Sequence, residues 1–309
     1  MTMRVAITGS RGLIGRALTR ELRRRGHEVI RLVRSRDTQP MAQTTAILWD
    51  PVQGVGEPRR LEGVDAVVHL AGPGIGDRRW TESRKRLLHD ARVEGTRNIA
   101  ETLAGLQNRP RVFVSASAIG FYGDTGDETV DEDAPQGGGF LAELCRAWEE
   151  ATGPAAEAGI RTMCIRTGLV LAPDGGLLSR LLPLFRLGLG GWPGDGRQWW
   201  SWISLEDEVR AILHLVDSEV NGPVNLVAPT PVTAREFAVE LARSLCRRAF
   251  LPVPTLPLRL VLGSELVREL LLTSQRVTPR VLTASGFSFA HETIDEAFAW
   301  VVEKARPTP

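Results

Sequence analysis

Apolar and polar positions change their period several times along the chain, and each change marks an element. Residues 4–8 (RVAIT) are a short apolar run that stops at Gly9-Ser10-Arg11-Gly12-Leu13-Ile14-Gly15. From Leu13 the period becomes helical. Leu13, Ala17, Leu18 and Leu22 share one face, and Arg16, Arg20, Arg23 and Arg24 share the other. Gly26 stands where a C-terminal cap belongs, and residues 28–33 have the pattern of a second strand. Strand, glycine loop, helix and strand make one βαβ unit, which implies a parallel sheet and a right-handed crossover.

Further on, residues 46–49 predict a third strand inside a looser stretch containing Pro40, Pro51 and Pro58. Residues 65–70 (DAVVHL) are near-continuously apolar, as in a strand buried on both faces, and end in a second glycine-rich loop, residues 71–76. A long helix is expected over 82–104, with Leu87, Leu88, Ala91, Ile99 and Leu103 inward. Strand 111–115, helix 140–158 and strand 161–166 follow. This order predicts an α/β fold, a Rossmann-like doubly wound parallel sheet over residues 1–170. Beyond Thr167 the chain turns irregular and rich in Gly and Pro. Helices are predicted over 177–187, 205–216, 233–246, 258–273 and 294–302. Short strands are predicted over 224–227, 250–253 and 287–289. Residues 203–230 are expected to return to the sheet, and 171–202 with 231–309 to form a smaller substrate lobe over the cofactor site.

Composition narrows the class. Of 309 residues 43% are hydrophobic and 24% charged, an ordinary globular balance, and a net charge of +1 gives no field for nucleic acid. No apolar run reaches the ~18–20 residues that span a bilayer, and the N-terminus enters a strand with no signal pattern, so a cytoplasmic, non-membrane protein is expected. Cys145, Cys164 and Cys246 are scattered, and the five histidines show no ligand spacing, so no metal is expected. Lysine occurs only at Lys85 and Lys304, and tyrosine only at Tyr122.

The glycine loop has a chemical reason. A phosphate at the start of the first helix gains from amides that lack partners in the helix and from the positive end of its dipole. Side chains beyond Cβ would hold a pyrophosphate away, and Gly15 lets the helix approach closely. The spacing is G-x-x-G-x-x-G rather than G-x-G-x-x-G.

With these residues in view, the chain resembles the extended short-chain dehydrogenases/reductases. Residues 8–15 look like their cofactor loop, residues 63–72 (GVDAVVHLAG) their fourth-strand motif, and residues 115–123 (SASAIGFYG) their fifth-strand motif. Residues 202–208 (WISLEDE) look like the segment that leads back from the substrate lobe. Residues 140–149, 166–171, 187–196 and 274–287 resemble one atypical subgroup, the "epimerase family", also called cell-division-inhibitor-like. The resemblance implies NADP(H), bound by Gly9, Ser10, Arg11, Gly12, Leu13, Ile14 and Gly15. It also implies Asp65 on the adenine side, Leu70, Ala71 and Gly72 near the ribose, and Ser115 and Arg166 nearby.

The second strand carries the specificity signal. An acid at its end binds the ribose 2′-OH of NAD, whereas an arginine there accommodates the 2′-phosphate of NADP. Here Arg34 and Arg36 follow the strand, the nearest acid is Asp37, and Arg11 adds a cation from the loop.

The resemblance also implies a Tyr-x-x-x-Lys pair, one helical turn apart, to move a proton. Where the helix should carry it stand Phe140 and Leu144. Another acid is then needed, and Tyr122 is the first candidate with Ser117 to orient a substrate oxygen; Glu143, Cys145 and Arg166 follow. Gln198, Trp200 and Trp202 are expected to line a partly apolar substrate cleft. Two readings remain: an NADP(H)-dependent oxidoreductase or epimerase-like enzyme acting on an unidentified small molecule, and a non-catalytic NADPH-binding redox sensor.

Overall fold

The computed structural model describes residues 2–34, 45–249 and 251–305. Its centre is an eight-stranded sheet: β1 (Arg4–Thr8), β2 (Glu28–Val33), β3 (Thr45–Asp50), β4 (Gly54–Val55), β5 (Ala66–His69), β6 (Val112–Ala118), β7 (Arg161–Thr167) and β8 (Gly222–Leu226). The spatial order is β8-β7-β6-β5-β1-β2-β3-β4, parallel except for β4, which folds back on β3. Strand alternation explains the layers. Val5, Ile7, Val68, Val114 and Ile165 pack on one face against Leu18 and Leu22 of α1 (Leu13–Arg24). Ala6, Val67 and Phe113 face the other way, against Ile99 and Leu103 of α2 (Glu82–Ala104). Burial on both faces is why these strands are continuously apolar. The chain is a Rossmann-like α/β protein.

From β1 the chain winds outward through β2 and β3, then returns to place β5 on the other flank of β1. The loops after β1 and β5 therefore diverge, and the crevice between them opens at the carboxyl ends of the strands.

Several predicted elements change in detail. Helix α2 buries Leu88, Val93, Ile99, Ala100 and Leu103 but leaves Leu87 exposed, so its inward face starts one residue later than expected. The helix expected over 140–158 divides into α3 (Phe140–Glu150) and α4 (Gly153–Glu157), because Pro154 can begin a helix but not continue one. After α5 (Gly176–Arg186), α6 (Leu205–Asp217) and α7 (Ala234–Ser244), the helix expected over 258–273 breaks at Gly263, whose φ is +93°. The pieces are α8 (Thr255–Leu262), α9 (Ser264–Val267) and a π-helical turn, Arg268–Leu272. Of the strand expected over 250–253, Pro252–Val253 is extended beside Trp192–Pro193, and Phe250 lies outside the described residues.

Residues 287–289 form no strand. Phe287 stacks edge-on against Phe289 and joins the sheet core with Leu282 of α10 (Arg280–Ala284), so this part of the expected lobe packs with the sheet. The lobe proper has its own core, in which Leu178, Leu182 and Phe185 of α5 meet Phe237 of α7 and Phe298 of α11 (Ile294–Lys304).

Gly9 has φ +66°, and a Cβ there would lie 2.7 Å from the Leu70 carbonyl carbon. A Cβ on Gly15 would lie 2.2 Å from the Gly9 carbonyl oxygen. Alanine normally gains about 1 kcal/mol over glycine inside a helix. Gly15→Ala is instead expected to cost about 1–3 kcal/mol, the range for overpacking. A melting temperature lowered by several degrees would show it, and an unchanged or raised one would refute the close approach.

Candidate functional site

A cleft of about 640 Å³ lies over the carboxyl ends of β1, β2, β3 and β5. One wall is the loop from Gly9 to Gly12; the others are Leu32 to Arg34, Trp49 with Asp50, and Leu70 to Gly72. The first ladder hydrogen bond of α1 runs from Arg16 N to Gly12 O, so the N–H groups of Leu13, Ile14 and Gly15 precede the ladder. The buried Ser10 hydroxyl, 2% exposed, has no hydrogen-bond partner among the described residues. Amides before the ladder, an unsatisfied hydroxyl and positions where any Cβ would collide fit a pyrophosphate group. Arg11 and Arg34 border the same cleft; Arg36 and Asp37 lie outside the described residues.

Thr8 ties the two glycine loops together. Its Oγ1 accepts hydrogen bonds from Leu70 N (3.0 Å) and Ala71 N (3.2 Å) and lies 2.8 Å from His69 Nδ1. With both backbone donors accepted, the hydroxyl proton goes to Nδ1, so His69 is neutral with its proton on Nε2. Burial pushes the His69 pKa down to about 3.

Asp65 does not belong to this cleft. It precedes β5 at the amino edge of the sheet, where Oδ2 accepts from Arg4 N at 2.7 Å, at the opposite end of the strands from the glycine loops. Ser115 is fully buried within β6 and borders neither cleft.

A second cavity, about 300 Å³ and mostly apolar, lies between the carboxyl ends of β6 and β7, α3 and the lobe. Leu144, Cys145 and Trp148 of α3 line it, with Ser117, Thr167 and Arg92. Burial pushes the Cys145 thiol up to about 12, so it is not a thiolate nucleophile. Phe140, at the expected tyrosine position, stacks edge-on against Trp80 at 5.1 Å.

Behind this cavity, most of the candidate polar residues are held in one network. The Ser117 hydroxyl donates to Glu149 Oε1 at 2.6 Å. Arg166 donates to both Glu149 oxygens at 2.8 Å and to the Tyr122 hydroxyl at 3.0 Å. That hydroxyl in turn donates to Asn225 Oδ1 at 2.7 Å. Burial disfavours the Arg166 charge, yet the Glu149 hydrogen bonds and charge outweigh it and hold its pKa above the usual value. The guanidinium also lies 3.5 Å from the Phe121 ring centroid.

These contacts correct two expectations. Arg166 is committed to Glu149 and Tyr122, not to a cofactor, and Tyr122 is 3% exposed and does not border the cavity. The single tyrosine packs under its loop; burial raises its pKa, which makes it a poor proton mover. Ser117 does reach the cavity.

The tryptophan run divides likewise. Trp200 and its neighbour Trp199 border the cavity. Trp202 is fully buried in the lobe core and donates to Thr230 O. Gln198 bridges the Pro193 and Leu271 carbonyls. Trp202 and Gln198 are framework, not cleft.

Thr167 and Glu208 lie inside runs that carry the family resemblance, residues 166–171 and 202–208, without standing out in them, and Arg92, Trp49 and Asp50 carry no motif. Thr167 Oγ1 donates to Glu208 Oε1 at 2.9 Å, and Glu208 is fully buried with Oε2 unpartnered among the described residues. Burial pushes its pKa up to about 8, so it holds a proton at neutral pH. A cue existed only in the odd placement of three acids, Glu206 to Glu208, at the start of an apolar helix.

Fold and clefts together define a protein of the extended short-chain dehydrogenase/reductase type. The chain belongs to the NAD dependent epimerase/dehydratase family, which it matches over residues 5–227, and residues 253–301 match a domain of unknown function, DUF1731. An epimerase family protein of Mycobacterium tuberculosis is 44% identical over 301 residues, spanning 97% of this chain and 98% of that one. The human epimerase family protein SDR39U1, solved with NADPH, is 33% identical with a TM-score of 0.88, covering 97% of this chain and 99% of that one. A nucleoside-diphosphate sugar epimerase from Corynebacterium glutamicum is 38% identical with a TM-score of 0.78, covering 97% of this chain but 58% of that one. The atypical epimerase subgroup is thereby the right one. Among the described residues no helix is long and apolar enough to cross a membrane.

The buried acid makes a pH test. Folded Glu208 keeps its proton up to about 8, whereas an unfolded glutamate releases it near 4.5. Its contribution is therefore full below 4.5 and lost as pH rises through 8. His69 acts oppositely, since its folded pKa of about 3 lies below the unfolded 6.5, so it destabilises only below about 6.5. Between pH 6.5 and 9 the melting temperature is expected to fall, and to fall less in Glu208→Gln. Parallel curves would refute the buried protonated acid.

Proposed function

We propose that this chain is an NADP(H)-dependent oxidoreductase or epimerase-like enzyme acting on a small molecule in the 300 Å³ cavity. The observation that carries this reading is the glycine cradle at the start of α1, with its unsatisfied Ser10 hydroxyl and with Arg11 and Arg34 on the same cleft. The NADPH bound by the human relative supports the choice of coenzyme. The amides of Leu13, Ile14 and Gly15 hold the pyrophosphate, and the arginines hold the 2′-phosphate. When bound, the coenzyme supplies or accepts a hydride.

The chain must then handle a proton without Tyr-x-x-x-Lys. The Ser117 and Thr167 hydroxyls orient a substrate oxygen. For proton delivery the Thr167 O–H turns from Glu208 to the substrate oxygen while the Glu208 O–H donates to Thr167 Oγ1. One proton leaves Thr167, one replaces it from Glu208, and Glu208 ends as the carboxylate accepting from Thr167. Trp199, Trp200 and Leu144 exclude water.

A second reading is favoured by Phe140 and Leu144 at the Tyr and Lys positions: an NADPH-binding redox sensor without turnover. NADPH oxidation against a panel of carbonyl, enone and nucleotide-sugar substrates separates the two. Turnover is expected to fall a hundredfold or more in Thr167→Val, the scale of general acid catalysis, and to stay within a few-fold in Tyr122→Phe. Saturable NADPH binding with no turnover on any substrate would favour the sensor.

A charge-assisted hydrogen bond contributes about 1.5–3 kcal/mol, and about 1.4 is tenfold in affinity. Arg34→Asp is thus expected to weaken NADPH binding tenfold or more while sparing NADH. An unchanged NADPH/NADH ratio would remove Arg34 from the 2′-phosphate site.

A further inference from the structure

Arg92 stands out among the buried charges. It is 6% exposed, rises from α2 into the wall of the 300 Å³ cavity, and its guanidinium carbon lies 3.4 Å from where a Cβ on Gly72 would be. It therefore sits where the coenzyme cleft and the cavity meet. Of its five N–H donors, Nη2 donates to Pro73 O at 2.9 Å and Nη1 to Leu88 O at 3.3 Å, while Nε has no partner among the described residues. The Trp148 ring lies 5.0 Å from the guanidinium carbon.

No carboxylate pairs with Arg92 among the described residues. Glu269, on the same cavity, is engaged by Phe140 N, Leu141 N and Arg268 at the start of α3. Glu149 is bound by Ser117 and Arg166. The adjacent Cys145 is a neutral thiol. Burial brings the Arg92 pKa down only to about 10, so it remains charged at neutral pH.

An isolated buried cation is expensive to keep, and pinning the Pro73 carbonyl requires no charge. Its placement is informative: Leu144 lines the same cavity at the position where the resemblance implies a lysine, so a cation enters this wall from α2 instead of α3. A planar fork with free donors in a small, apolar cavity matches one carboxylate held side-on.

We infer that Arg92 is an anion anchor and that the cavity takes a small, largely apolar carboxylic acid, its carboxylate on the Arg92 guanidinium. This rests on the cavity being the place of reaction, as proposed above. The apolar body then lies against Leu141, Leu144 and Trp199.

Calorimetric titration of the purified chain, with and without NADPH, with benzoate, cinnamate and 3-phenylpropionate and with their three primary amides tests it. At least one acid is expected to bind tenfold or more tightly than its amide. In Arg92→Met that ratio is expected to fall to about one, and in Arg92→Lys to lie between. Because the readout is a ratio, general weakening of the cavity cancels. No preference for any acid in the unsubstituted chain overturns the inference even if Arg92→Met fails to fold, and a preference that survives in Arg92→Met overturns it as well. Absence of NADPH binding would instead overturn the coenzyme reading, and the ratio measured without NADPH would still decide this one.

Discussion

The structure depends on one close approach of backbone to backbone. Gly9 presses against the carbonyl of Leu70, and Gly15 seats the first turn of α1 on the carbonyl of Gly9. Neither contact survives a Cβ, so both glycines are set by sterics before any ligand is considered. Together they bring a helix start, the end of β1 and the end of β5 into contact, and Thr8 fastens the arrangement by accepting from Leu70 N and Ala71 N. The topological switch between β1 and β5 opens a crevice, and the glycine contact makes its floor bare backbone with donors pointing outward.

A second constraint is electrostatic. Behind the floor formed by β6 and β7, Ser117, Glu149, Arg166, Tyr122 and Asn225 form a continuous hydrogen-bonded chain with the arginine charge matched by one carboxylate. Such a network, once satisfied, holds its members in place, which is why the lone tyrosine has little freedom to move a proton. Glu208 and Arg92 lie outside that economy of pairs. One is a carboxyl kept neutral by burial and the other a cation with no counter-ion among the described residues, and both border the same cavity, Glu208 through Thr167. Groups left unpaired at the edge of a cavity are those able to respond to what enters it.

Local pattern was enough for the first half of the fold. The strand-to-helix change of period at Leu13 and the run at 66–69 are set by residues close in sequence, and β1, α1, β2 and β5 follow them. The return of residues 222–226 to the sheet edge was legible because a short apolar run has nowhere else to bury. Where expectation failed, contacts distant in sequence decided. Phe287 and Phe289 alternate like a strand but stack on each other and on the sheet core. Asp65 carries a family motif, yet its place at the amino end of β5 sends it to Arg4. Arg166 and Ser115 were expected by motif at the cofactor and Tyr122 as the acid, and what holds them, Glu149, the interior of the sheet and Asn225, is set by other elements. Arg92 gave no signal, because an arginine in a charged helix looks solvated until a neighbouring element covers it, and Glu208 gave only the weak cue of an acid among three at the start of an apolar helix.

The same reasoning bears on what stands at the two α3 positions where the resemblance implies Tyr and Lys. Phe140 and Leu144 pack with Trp80, Leu88 and Leu266, and Leu144 with its neighbours gives the cavity an apolar wall on the α3 side. An apolar wall lowers the local dielectric and strengthens every charge beside it. In that setting the Arg92 guanidinium from α2 and the protonated Glu208 carboxyl behind β7 are screened less than the same groups would be in water. Their positions on α2 and α6, packed against opposite faces of the sheet, keep them from neutralising each other. The unpaired state of each is thus a consequence of topology: the sheet stands between the two groups and brings them to the cavity from different sides.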